Sequence, residues 1–126
     1  PKTQADLGEF LRTYNQLEQL IIDFAGELAR NDQRNVTGFR PRILESMAVL
    51  CMHEIIYTEL RSNIDELRRY RNGLVHGTDL TVSVPILNRL TEIYQDLETI
   101  HTMFMENDNL IPYSPEWDEA VRKLNG

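Results

Sequence analysis

The chain is poor in the residues that build rigid or spanning structure. Of its 126 residues, one is cysteine, Cys51, so no internal disulfide and no cysteine-cluster zinc site can form. Six glycines and five prolines leave long stretches without a breaker. No apolar run approaches the roughly 18 residues of a membrane span. The first residues show no basic region followed by an apolar stretch, so no signal peptide is expected and a cytoplasmic address is the default. The chain opens at Pro1 and not at Met, as a domain cut from a longer protein would. Positive charge is also scarce. Thirteen Lys and Arg face 20 Asp and Glu, a net charge of −7, which argues against indiscriminate binding to nucleic acid. Strand-like alternation, internal repeats, glycine-rich phosphate loops and dinucleotide fingerprints are all missing from the pattern.

What is present is helical periodicity. The length suits one domain, residues 1–126. Leu7, Phe10, Leu11, Tyr14, Leu17, Ile21, Phe24 and Leu28 recur at spacings of three and four, one face of a helix of about seven turns. Thr3-Gln4-Ala5-Asp6 has the form of a capping box ahead of it. Asn31 to Gly38 reads as a loop. A second helix is expected from Pro41 through Ile56, apolar around most of its circumference and so central or at a subunit interface. Ser62-Asn63-Ile64-Asp65 is a candidate cap for a third helix that Gly77 would end. Pro85 would start a fourth, with Leu90, Ile93, Leu97, Ile100 and Phe104 as its seam. Ser114-Pro115 would open a short tail helix with Trp117, Val121 and Leu124 on one side. The expectation is an all-α antiparallel bundle of four main helices plus a short C-terminal helix.

Four arginines, Arg61, Arg68, Arg69 and Arg71, stand against Asp65 and Glu66 in residues 61–71, a local excess of two positive charges. This patch is where an RNA contact would lie. Its plain structural alternative is a solvated helix face with i,i+4 partners. Ahead of Gly77 comes Arg71-Asn72-Gly73-Leu74-Val75-His76. Gly73 inside a helix costs about 1 kcal/mol relative to Ala, which a close approach of substrate or backbone would justify.

This segment resembles the HEPN superfamily, helical bundles that carry an Arg followed four to six residues later by His, often with a polar residue directly after the Arg. The helical layout extends the likeness over most of residues 4–106. The resemblance implies metal-independent RNA cleavage at a homodimer interface, in a toxin, antiviral-defence or stress setting, with no metal and no cofactor. Arg71 would hold the scissile phosphate and stabilise its extra negative charge. His76 would transfer protons, since an imidazole titrates near neutral pH. Asn72 would orient His76 or a phosphate oxygen, and Arg61, Arg68 and Arg69 would bind RNA. The products would be a 2′,3′-cyclic phosphate and a 5′-hydroxyl. A cognate antitoxin is an implied partner. One branch of the family carries Tyr two residues after the His; here Thr78 stands there, so modification of that Tyr does not transfer. The alternative within the family is a non-catalytic module that dimerises or binds a ligand or protein.

Spacing gives an independent argument for two chains. Asn72 and His76 share a helix face, whereas Arg71 and His76 lie about 140° apart around the axis. One straight helix serves a single phosphate poorly with both, and a second copy removes the difficulty.

Other candidates are weaker. Glu98 and His101 have the i,i+3 spacing of di-iron bundles, but the second such pair is missing; His101 beside Leu97 and Phe104 reads as a partly buried, hydrogen-bonded histidine. Cys51 reads as mostly buried packing, with His53 pointing away from it. Met47, Met52, Met103 and Met105 read as core or interface filler.

Overall fold

The computed structural model describes residues 5–31, 42–77 and 81–126. Those residues form five α-helices and no strand: α1 Leu7–Asn31, α2 Ile43–Met52, α3 Thr58–Val75, α4 Val84–Glu106 and α5 Pro115–Asn125. The all-α bundle expected from periodicity is what the chain adopts.

Helix α1 is the spine. Phe10, Tyr14, Leu17, Ile21 and Phe24 are fully buried along it, and it packs on α2, α3 and α4. Each such side chain contributes about 1.5–3 kcal/mol on leaving water. Among the described residues its cap is Asp6, whose Oδ1 accepts from the Gly8 and Glu9 N–H groups at 2.8 and 3.3 Å. The other end of the expected capping box, Thr3, lies outside the described residues, as do the loop after Asn31 and Pro41. On α4, Ser83 Oγ caps the first turn and Leu87 to Phe104 form the buried seam. Ser114 Oγ accepts from Trp117 N–H at 3.2 Å, and α5 buries Trp117, Val121 and Leu124 as its spacing requires.

Two boundaries differ from the sequence reading. The apolar string from Ile43 to Ile56 is not one helix. It ends at Met52, with His53 as C-cap and Glu54 in the left-handed region at φ 59°. The Glu54 N–H bonds the Cys51 carbonyl at 3.0 Å and the Ile55 N–H bonds the Leu50 carbonyl at 2.9 Å, the two bonds of a Schellman stop. Ile55 and Ile56 are buried in the turn itself. Helix α3 consequently opens at Thr58 behind an extended Tyr57, a full turn before the Ser62 cap expected from sequence. Asn125 of α5 secures this turn: its Oδ1 accepts from Tyr57 N–H at 2.8 Å and its Nδ2 donates to the Ile55 carbonyl at 3.0 Å.

Helices α1 and α4 are joined by His101, whose Nε2 lies 2.6 Å from Glu27 Oε1, with its ring against Phe24. Glu98 accepts instead from the Tyr94 hydroxyl, so the i,i+3 pair of α4 serves two separate partners. Cys51 is partly buried and packs against the core, in keeping with a packing role, and the His53 ring turns back to the Val49 carbonyl. Of the methionines, Met47 is core, whereas Met52 and Met105 are about half exposed at 56% and 46%.

Candidate active site

Helix α3 and its C-cap carry all six residues that the resemblance assigns to the site. Arg61, Asp65, Arg68, Asn72 and His76 follow one another at steps of three and four, so they form one stripe. The opposite side of α3, with Leu60, Ile64 and Leu67, is core. Arg71, one turn beyond Leu67 and two beyond Ile64, continues that core-facing side near the end of the helix and reaches across to α1.

There Arg71 is held by four neighbours. Its Nε donates to Asn72 Oδ1 at 3.0 Å, its Nη1 to Asn15 Oδ1 at 3.2 Å and its Nη2 to Glu18 Oε1 at 3.4 Å. The guanidinium lies over the Tyr14 ring, 5.0 Å from its centroid, a cation–π geometry. Arg71 and Glu18 are each 22% exposed, so water reaches the pair. A guanidinium has five N–H donors, and three are engaged here, leaving one on each terminal nitrogen. Beneath it, the Tyr14 hydroxyl donates to the same Glu18 oxygen at 2.9 Å. Burial first, and then the neighbouring Glu18 charge, push the Tyr14 hydroxyl well above the usual phenol range, so it remains a donor at any working pH.

His76 is the C-cap of α3 and is exposed. Its backbone N–H bonds the Asn72 carbonyl at 3.0 Å, and Gly77 follows in the left-handed region at φ 80°. Its imidazole makes no hydrogen bond or ion pair among the described residues. The structure therefore brings Arg71 and Asn72 together and leaves His76 apart at the helix end. Gly73 lies within α3, partly buried.

Of the three arginines assigned to RNA, Arg61 and Arg68 are on the stripe and Arg69 is beside it. Arg68 Nε and Arg69 Nη2 both reach Asp65, at 2.9 and 3.0 Å, while Arg61 is exposed without an ion pair among the described residues. With Thr58, Ser62 and Leu44 they line a groove between α2 and α3. Three guanidinium groups there face one carboxylate, so the groove is positive on an acidic molecule.

Tyr14, Asn15 and Glu18 were not visible as site residues from sequence. Nothing in the spacing links residue 15 or 18 to residue 71. The available signal was a core tyrosine whose hydroxyl needs a partner, with Glu18 one turn on to supply it. No family model, curated protein or solved structure matches this chain.

Proposed function

We propose that the chain is a metal-independent RNA endonuclease of the HEPN type that works as a homodimer. The observation that carries this reading is the α3 stripe: Arg61, Arg68 and Arg69 line a positive groove, Asn72 and an exposed His76 with no partner among the described residues continue the same helix side beyond it, and Arg71 is oriented by Asn72. RNA backbone would lie along the groove. Arg71 would fork onto the scissile phosphate with its two remaining N–H groups. His76 would take the proton of the 2′-hydroxyl or return one to the leaving 5′-oxygen. Charge stabilisation and proton transfer are then both supplied by side chains, which is why the reading is metal-independent. Because Arg71 and His76 leave α3 in different directions, the pair serving one phosphate would come from two chains. A toxin, defence or stress role in the cytoplasm, with a cognate antitoxin, belongs to the same reading.

The second reading is a non-catalytic HEPN-like binding or dimerisation module. It is favoured by the neutralisation of Arg71 within its own chain by Glu18, which is what a purely structural ion pair would look like.

Incubation of the purified protein with RNA in EDTA separates the two. Cleavage is expected to persist in EDTA, and Arg71→Ala and His76→Ala are each expected to slow it at least about a hundredfold. Cleavage that vanishes in EDTA and returns with magnesium would remove the proposed mechanism, and no cleavage at all would leave the binding module.

A further inference from the structure

We infer that Glu18 is a built-in competitor of the phosphate for Arg71, so that RNA must displace this carboxylate to engage the guanidinium. The inference rests on the reading of Arg71 as the phosphate-binding group and deepens it.

The partners of Arg71 divide into two kinds. Asn72 and Asn15 offer neutral amide oxygens, and Tyr14 offers a ring face; these orient the guanidinium without cancelling its charge. Among the described residues Glu18 alone neutralises it. That contact is the longest of the three hydrogen bonds at 3.4 Å, well beyond the 2.7–2.9 Å of a strong charge-assisted bond. The same Glu18 oxygen is already committed to the Tyr14 hydroxyl at 2.9 Å, and Tyr14 is fully buried. Glu18 is thus anchored from below by the core and grips Arg71 loosely from the side. A phosphate oxygen approaching Arg71 meets a guanidinium that is already aimed but electrically satisfied. Loss of the Glu18 grip costs no orientation, because the neutral partners keep it. Glu18 is a positioning and tuning residue in this scheme and does not touch the reacting atoms.

The test is equilibrium binding of a short single-stranded RNA, by fluorescence anisotropy over a range of salt, in a His76→Ala background that prevents turnover. Glu18→Gln keeps an acceptor for Tyr14 and Arg71 but removes the charge. It should tighten binding by about three- to tenfold and steepen the salt dependence by about 0.7 in log–log slope, as one more phosphate is fully neutralised. Asn15→Asp, an isosteric change at an exposed position, adds a second carboxylate and should weaken binding by a similar factor, which keeps the test open if Glu18→Gln fails to fold. Adding Arg71→Ala should erase the Glu18→Gln effect, a coupling that a merely structural Glu18 would not show. Equal or weaker binding by Glu18→Gln, with Arg71→Ala still weakening the wild-type interaction, overturns the competitor role and leaves Arg71 as the phosphate group. Binding unaffected by Arg71→Ala overturns both.

Discussion

At the scale of single residues, Tyr14 carries the clearest pH signature. Its hydroxyl is raised above its ordinary value, first by burial and then by Glu18. The folded chain therefore holds a proton that the unfolded chain releases near pH 10. Stability from this group is fully present below about pH 10 and falls as pH rises above it, because the unfolded state binds fewer protons there. Tyr94, raised by desolvation and by its bond to Glu98, adds the same sign from a partly buried position. Urea midpoints measured at pH 8 and pH 10.8 should drop for the wild type and drop clearly less for Tyr14→Phe. At pH 8, Tyr14→Phe should cost about 1 kcal/mol, the worth of one buried hydrogen bond. Equal alkaline losses in the two proteins would place the effect elsewhere.

At the scale of elements, three helices stop in one geometry with different residues. A left-handed residue follows each C-cap: Glu54 after α2, Gly77 after α3 and Asp108 after α4. Only Gly77 adopts it without a steric cost. This explains which boundaries sequence reading located. The end of α3 was marked by glycine, whereas the end of α2 lies inside an apolar string with nothing to announce it. Tertiary burial of Ile55 and Ile56 drives that turn, with Asn125 holding it from α5. Glu54→Gly should raise stability by up to about 1 kcal/mol, or some 2–4 °C in Tm for a chain of this size, and Gly77→Ala should lower it by about as much. Among the described residues no atom lies within 4 Å of where a Gly77 Cβ would stand, so the loss expected is backbone strain. Thermal melts that rank the two variants the other way would contradict this account of the stops.

At the scale of the whole molecule, the separation of Arg71 and His76 decides what must be tested. Arg71 is fastened to α1 of its own chain, while His76 ends α3 with no described partner. A shared site between two copies makes a quantitative prediction. Equal mixing of the inactive Arg71→Ala and His76→Ala proteins yields about half heterodimers, each with one of two composite sites intact. Roughly a quarter of wild-type cleavage should return. Recovery of nothing, with dimers verified by light scattering, would mean that both groups act from one chain or not at all.

The sequence by itself determined the helical class, the buried stripe of α1, the proline that starts α4, the cap of α5 and the residues of the α3 stripe. These are local properties: a period of 3.6, a serine before a proline, a glycine after a helix. Only the tertiary structure decided that Arg71 crosses to α1 and meets Asn15 and Glu18, because those residues lie more than fifty positions away and no local pattern encodes the pairing. It also decided where α2 ends. Burying Ile55 and Ile56 outweighs the helical continuity that their neighbours alone would favour, and that balance exists only once α1 and α5 are in place to receive them.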